Sequence, residues 1–118
     1  MVKSNNPAKP EDTKRHDRNE VVLRGVLTTA PEHRVFGSGA SLARLLVTIR
    51  LSAPRTRTDV IPVTVWEPEA AVIEAERGTP IDVVGQVHRR FWTDAEGRHS
   101  RVEVVATEVV LGEIEATA

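Results

Sequence analysis

Aromatic and sulfur-containing side chains are scarce in this chain. Its 118 residues include no cysteine and no tyrosine, two tryptophans and two phenylalanines. Without cysteine it has no disulfides and no thiolate metal sites, as is common for proteins of a reducing cytosol. No stretch of about 18 apolar residues is present that could form a membrane-spanning helix. The first 20 residues hold no apolar segment either, so we expect no secretory signal and a cytoplasmic location.

The sequence also lacks the common motifs of phosphate binding, metal binding and catalysis. It contains neither Gly-x-x-x-x-Gly-Lys nor Gly-x-Gly-x-x-Gly. Its four histidines, at positions 16, 33, 88 and 99, do not have the spacing of metal ligands. We therefore expect no metal ion, no other cofactor, no small-molecule substrate and no enzymatic activity.

Arginine supplies most of the positive charge, and it is unevenly placed. The formal net charge is −1, and all three lysines lie within the first 14 residues. From residue 19 onward, 11 arginines stand against 14 acidic residues, and the arginines cluster in segments 44–57 and 89–101. Such clusters can form a basic groove for an anionic partner even on a mildly acidic domain. The alternative is an ordinary solvated surface of mixed charge.

Composition divides the chain into three regions. Residues 1–18 are polar, contain Pro7 and Pro10 and show no hydrophobic periodicity, so we expect a disordered N-terminal tail. Residues 19–114 have the length of a single folded domain. Residues 115–118 are expected to form a frayed C-terminus.

The folded domain is predicted to be mostly β. Segments rich in Val, Ile and Leu predict five strands, at residues 20–29, 41–52, 58–66, 79–92 and 98–111. A short extended piece at 33–36 precedes a glycine turn at 37–39. Pro68 and Gly78 bound a helix candidate between the third and fourth strands. This order of elements is that of the OB-fold, a five-stranded Greek-key barrel with one short helix between strands 3 and 4.

Three features predict local irregularities within this barrel. Gly25 inside the first strand predicts a bend or bulge. Pro62 inside the third strand predicts an edge position or a bulge, because proline cannot donate to a ladder. The segment from Asp94 to Gly97 predicts the turn of the last hairpin.

Both tryptophans are predicted to point away from the core. Trp66 leaves the core face that the third strand forms with Ile61, Val63 and Val65. Alternation along the fourth strand places Trp92 with Gln86, His88 and Arg90, opposite an expected core face formed by Ile81, Val83, Gly85 and Val87. Exposed indoles of this kind either stack on nucleic-acid bases or pack at a subunit interface or a barrel end.

The two phenylalanines give a weaker signal. Phe91 has the parity of the core face, so we expect it to support the last hairpin or to contact a partner. Phe36 lies beside the glycine turn, and alternation leaves its direction open.

An ordered series of short motifs resembles the bacterial single-stranded-DNA-binding protein family. The series spans about residues 19–112. Its first motifs are Asn19-Glu20-Val21-Val22-Leu23-Arg24-Gly25, Pro31-Glu32 and Gly37-Ser38-Gly39. Its later motifs are Thr58-Asp59, Trp66, Arg77-Gly78, Val84-Gly85-Gln86-Val87 running into Arg90 and Trp92, the turn at 94–97, and Glu108-Val109.

This resemblance implies an OB-fold that binds single-stranded DNA without sequence preference, in DNA replication, recombination or repair, at the nucleoid. It also implies a homo-oligomer, with a tetramer favoured and a dimer as the alternative. The family's stacking aromatics fall on Trp66 and Trp92, and Phe36 is a third stacking candidate. Phosphate contacts would correspond to seven arginines, namely Arg44, Arg50, Arg55, Arg57, Arg90, Arg98 and Arg101.

Some positions depart from the family pattern. Val60 stands where a third stacking aromatic is common, and the lysines that members use along the DNA path are absent. We also expect a short form, because the chain ends at Ala118 without the acidic tip that recruits replication and repair proteins. Two alternatives to DNA binding stay open: a protein-interaction module, and an RNA-binding paralogue with reduced DNA affinity.

Overall fold

The structure, a computed structural model, describes residues 15–114. The predicted N-terminal tail, residues 1–18, lies outside this range except for residues 15–18, which are exposed and belong to no helix or strand. The predicted frayed C-terminus, residues 115–118, lies outside it. The described residues form six strands and one helix, which are β1 (Val21–Leu27), β2 (Glu32–Val35), β3 (Ser41–Leu51), β4 (Arg57–Trp66), α1 (Ala70–Ile73), β5 (Pro80–Asp94) and β6 (Gly97–Leu111).

Five of the six strands close into a barrel. The sheet order is β1-β5-β6-β4-β3-β2, and β1 pairs again with β3 to complete the ring. The contact between β4 and β6 is parallel, and the other pairings are antiparallel. β2 corresponds to the short extended piece and lengthens the sheet at the edge of β3. The predicted mostly β OB-fold, with its helix between the third and fourth barrel strands, is confirmed.

Apolar side chains at alternate strand positions fill the barrel. Its largest fully buried side chains come from four strands: Leu27, Leu45, Val47, Val63 and Val83. Because strand side chains alternate between two faces, each barrel strand also presents an outer face. The candidate functional side chains lie on these outer faces.

Two glycines allow the strands to approach closely where the barrel closes. A Cβ atom on Gly25 would overlap the carbonyl oxygen of Thr48, so glycine allows the close approach of β1 to β3. The register of β1 with β5 runs through Gly25 without a shift, so the alternative of a bulge there is wrong. A Cβ atom on Gly85 would overlap the carbonyl oxygen of Val105. Gly85 lies at a register shift between β5 and β6, where Thr107 is the extra residue of a bulge.

The helix is much shorter than the predicted span from Pro68 to Gly78. α1 is a single turn, and Val72 is its buried residue. After the helix, Gly78 donates its N–H to the carbonyl oxygen of Leu27 at 2.8 Å, and Leu27 donates to Thr79 at 2.9 Å. These bonds fasten the segment after the helix to the end of β1. No helix within residues 15–114 has the length and apolarity needed to cross a membrane.

The hairpin of β5 and β6 extends beyond the barrel as a two-stranded arm, residues 86–103. Pairing of β1 with β5 stops at Gly85, and β4 pairs with β6 only at Val63 and Thr64. Every β5 residue from Gln86 to Asp94 is therefore exposed. The expectation that Val87 belongs to the core is wrong, because it lies where the arm leaves the barrel and is 40% exposed.

The short ladder between β4 and β6 also explains how Pro62 is accommodated. The ladder begins at Val63, so β4 has an unpaired edge at the proline on the side of β6. This matches the predicted edge position. The turn predicted at the end of the arm is also present, with Asp94 paired to Gly97 and Gly97 at φ 117°.

We predict that Gly85→Ala destabilises the protein by about 1–3 kcal/mol or more, because the new methyl group collides with the backbone of β6. Gly37→Ala is the matched control, since a Cβ there meets no atom within 4 Å. Urea unfolding followed by circular dichroism measures both variants. Equal stability of the two variants would contradict the close approach at Gly85.

Candidate nucleic-acid interface

The outer faces of five strands lie side by side, joined by strand pairing and by one side-chain hydrogen bond at the buried Thr64. In β2, β3 and β4, Glu32 pairs with Arg44, and Arg44 pairs with Thr64. The Thr64 hydroxyl donates to Oε1 of Glu103 on β6 at 3.3 Å. Glu103 in turn pairs with His88 on β5. This row of side chains joins the face that carries Trp66 to the face of the arm that carries Trp92; we call the joined surface the outer face.

At one end of the outer face, Trp66 and Phe36 form an aromatic pair. Their ring centroids are 6.1 Å apart, with 30° between the ring planes. Trp66 is 51% exposed and Phe36 is 37% exposed, so both rings remain accessible. Alternation predicted correctly that Trp66 points outward. The direction of Phe36, which alternation left open, is also outward, where its ring stacks on Trp66.

The hairpin of β2 and β3 brings Phe36 to this position. The Phe36 N–H donates to the carbonyl oxygen of Ala40 at 2.8 Å across the glycine turn. Glu67 fastens the hairpin to the end of β4, because its carboxylate accepts the Ser41 N–H at 3.0 Å. The Glu67 N–H also donates to the Ser41 carbonyl oxygen at 2.9 Å. Glu67 adopts φ 49°, a left-handed conformation uncommon for a residue other than glycine.

At the other end of the outer face, Trp92 lies among cationic side chains. The His99 ring stacks on it with centroids 5.3 Å apart and 19° between the planes. The guanidinium carbons of Arg90 and Arg101 lie 5.4 and 5.8 Å from the ring centroid, within the range of cation–π attraction. Trp92 retains 36% exposure. The arm thus holds the indole in a defined place with part of its surface open.

Asp94 holds the His99 ring over Trp92. His99 Nε2 lies 2.8 Å from Oδ1 of Asp94, and the same oxygen accepts the Glu96 N–H at 2.8 Å. The hydrogen bond with His99, followed by that with Glu96, lowers the pKa of the Asp94 carboxyl below its ordinary value. The side chains of Asp94, Glu96 and His99 lie close enough to offer three metal ligands, and the Asp94 carboxylate is already hydrogen-bonded to His99 and to the Glu96 N–H.

The two aromatic sites lie well apart along the outer face. Thr64 on β4 is level with Val105 on β6, and Val105 is level with Gln86 on β5. Trp66 follows Thr64 by two residues, whereas Trp92 follows Gln86 by six residues. β4 runs parallel to β6 and β5 runs antiparallel to it, so these steps go in opposite directions. At about 3.3 Å per residue, the separation along the strands is roughly 26 Å.

The structure sorts the seven candidate arginines into three groups. Those on the outer face are Arg44, Arg50, Arg90 and Arg101. Arg55 lies in the loop between β3 and β4. Arg57 on β4 and Arg98 on β6 point away from the outer face. Arg57 also forms an ion pair with Asp59 at 2.7 Å. Within residues 15–114, none of the four outer-face arginines has a carboxylate within 4.0 Å.

The expectation that Phe91 supports the hairpin is wrong. Its side chain is 64% exposed, on the face of the arm opposite Trp92, where it pairs with Ser100. Alternation predicted correctly which face of β5 carries Phe91, but neither face of the arm packs against a core at this position. The apolar ring is therefore left in solvent.

Sequence reasoning missed His99 as the stacking partner of Trp92. Across the hairpin, His99 pairs with Trp92, and His88 pairs with Glu103. A two-residue turn between Asp94 and Gly97 fixes this register, so counting back from the turn finds the pair. Glu67 could not be found in this way, because its partner Ser41 is distant in the chain.

The closed barrel and its aromatic, arginine-bearing outer face define an OB-fold protein with a surface suited to single-stranded nucleic acid. Residues 18–111 match the model of the Single-strand binding protein family, and the chain belongs to that family. The expectation that it is not an enzyme agrees with this membership.

Curated relatives support the same assignment. The chain is 31% identical over 96 residues to the Single-stranded DNA-binding protein of Thermus thermophilus, which covers 76% of this chain and 36% of that relative. It is 28% identical over 98 residues to Single-stranded DNA-binding protein B of Bacillus subtilis, covering 78% of this chain and 83% of that relative. The match thus extends over about a third of the Thermus protein and most of the Bacillus protein.

We predict that His99→Ala exposes Trp92 and raises the pKa of Asp94, since it removes both the stacked ring and the hydrogen bond. Acrylamide quenching in a Trp66→Phe background measures the exposure of Trp92, and NMR titration measures the pKa. His33→Ala, an exposed change on β2, is the control. Unchanged quenching in the His99 variant would contradict the stacked arrangement.

Proposed function

We propose that this chain binds single-stranded DNA without sequence preference, through base stacking and arginine–phosphate contacts. The observation that carries the proposal is the continuity of the outer face, which joins the Trp66–Phe36 pair to Trp92 through Thr64 and Glu103. Membership of the Single-strand binding protein family and the names of the bacterial relatives support it.

The chemistry of the outer face suits an unpaired strand. Stacking of a base on an aromatic side chain contributes about 1–3 kcal/mol and accepts any base, because every base has a π face. Trp66 with Phe36, and Trp92, offer such surfaces about 26 Å apart along the strands. Guanidinium groups bind phosphate oxygens and also stack on planar rings. Arg44, Arg50, Arg90 and Arg101 would supply these contacts on the same face.

The remaining arginine candidates have weaker support as contacts on this path. Arg55 lies in an exposed loop and can reach a phosphate from there. Arg57 would first have to leave Asp59. Arg98 faces the other side of the arm. We therefore propose that the outer face, with Arg55 at its margin, carries most of the binding.

We also propose that the protein acts at the nucleoid, in DNA replication, recombination or repair, because these processes expose single-stranded DNA, the ligand that its bacterial relatives' names give. Binding of RNA would use the same stacking surfaces, because these accept either sugar. Competition between oligo-dT and oligo-U of equal length distinguishes the two ligands. Stronger competition by oligo-U would favour an RNA-binding role.

We propose a homo-oligomer, with a tetramer favoured over a dimer. β1 pairs with β5 on one side, and on the other its segment from Val21 to Gly25 pairs with no strand among residues 15–114. Val22 and Val110 are also exposed on the outside of the barrel. A free edge beside apolar side chains favours association with another chain. Light scattering should give a mass that is a multiple of the 13.0 kDa chain, and 13.0 kDa at micromolar concentration would refute this proposal.

We predict that Trp92→Ala weakens binding of oligo-dT by about 1–3 kcal/mol, because one stacking surface is lost. Anisotropy of a labelled oligonucleotide measures the affinity at fixed salt. Ile114→Ala is the control, since Ile114 is exposed just beyond the end of β6 that is remote from the arm. If the wild-type protein fails to bind oligo-dT at low salt, the proposed function is lost.

We predict that Arg101→Gln weakens binding and reduces the slope of log affinity against log salt by about 1, as expected for one lost phosphate contact. Arg24→Gln is the matched control, because Arg24 is exposed on β1 and pairs with Asp82 at 2.8 Å. The same affinity and the same slope in both variants would argue against a phosphate contact at Arg101.

A further inference from the structure

The arm has a second exposed face, on the side opposite Trp92. Alternation and the register of the hairpin define this face by its residues Val87, Arg89, Phe91, Thr93, Arg98, Ser100 and Val102. We call it the Phe91 face. It lies beyond the last pairing of β5 with β1, so no other strand covers it among the described residues.

The Phe91 face combines an aromatic ring with two cations and carries no carboxylate. The ring is 64% exposed. Arg89 donates from Nη1 to the Ser100 hydroxyl at 3.1 Å, which holds its guanidinium beside the residue that pairs with Phe91. Phe91, Arg98, His99 and Ser100 line a shallow pocket of about 300 Å³. The Trp92 side of the arm, in contrast, includes Glu103 and Asp94.

This composition favours an anionic ligand that has flat apolar groups. An exposed ring binds a base by stacking, and arginines without an acidic partner attract phosphate. Neither Arg89 nor Arg98 has a carboxylate within 4.0 Å among residues 15–114. A second copy in a two-fold contact through this face would bring the same arginines together, which is unfavourable. A nucleic-acid strand meets no such repulsion.

We propose that the Phe91 face is a second binding site for single-stranded DNA, with a base stacked on Phe91 and phosphates at Arg89 and Arg98. The site rests on the proposed function, because it extends the path that begins at Trp92. Trp92 and Phe91 are consecutive residues on opposite faces of the two-stranded arm. Among residues 15–114 no third strand pairs with the edges of the arm, and at its base the Asn19 side chain bonds the backbone of Val87. A strand that passes around the edge of the arm therefore meets an aromatic ring on each side.

A tryptophan reporter tests the site directly. Phe91→Trp is introduced into a Trp66→Phe, Trp92→Phe background, which keeps an aromatic ring at each stacking position. Long oligo-dT, of roughly 35 nucleotides, should quench the single tryptophan, and added salt should reverse the quenching. Ile114→Trp in the same background is the matched control and should keep its emission. Anisotropy of the labelled oligonucleotide confirms binding in each sample.

The outcomes separate the second site from the proposed function. If wild-type protein and the background variant bind oligo-dT but the reporter at position 91 is not quenched, the second site is refuted and the proposed function stands. If wild-type protein does not bind oligo-dT, both are refuted. Emission from the reporter that depends on protein concentration, without oligonucleotide, would identify the face as a contact between copies and overturn the proposal.

Length dependence gives a second test. Phe91→Ala should weaken binding of long oligo-dT roughly 5- to 150-fold, the range for one lost stacking contact. A short oligo-dT of about five nucleotides, enough for the Trp92 side alone, should bind the variant and wild type equally. Equal loss for both lengths would indicate a general disturbance of the arm and would count against the second site.

Discussion

The parallel contact between β4 and β6 is the constraint on which the rest of the structure depends. It involves two residue pairs, Val63 with Val104 and Thr64 with Val105. These pairs close the barrel and bury Val63 and Val104 in its core. Beside them, the bond from Thr64 to Glu103 joins the outer faces of β4 and β6. Because the contact is so short, β6 and its partner β5 are free to continue beyond the barrel as an arm.

The short contact between β4 and β6 therefore both closes the barrel and positions the strands that carry the candidate site. Glycine at position 85 lets β5 lie close to β6, and the bulge at Thr107 restores the inward direction of Val109 and Leu111 after it. The barrel can then keep a filled core while its last hairpin projects into solvent. An exposed hairpin can display aromatic and basic side chains on both of its faces, which a strand packed on a core cannot do.

Much of the fold followed from local patterns, because the signals for strands, turns and glycine positions are short-range. The five barrel strands, the turn from Asp94 to Gly97 and the outward direction of Trp66 all agree with the structure. The length of the helix was overestimated, because Pro68 and Gly78 both lie outside its observed ends. The segment after its single turn is held instead by the hydrogen bond from Gly78 to Leu27, whose residues are far apart in the chain.

By itself, the sequence determined which side chains share a face of each strand, since alternation is a property of the extended backbone. Only the tertiary structure decided what each face meets. It stacks Phe36 on Trp66 through the β2–β3 hairpin, and it connects Thr64 with Glu103 across 39 residues of chain. It also leaves Phe91 in solvent although its parity is that of the core. The reason is that burial depends on which strands pair at each position, and those pairings join residues that no local pattern relates.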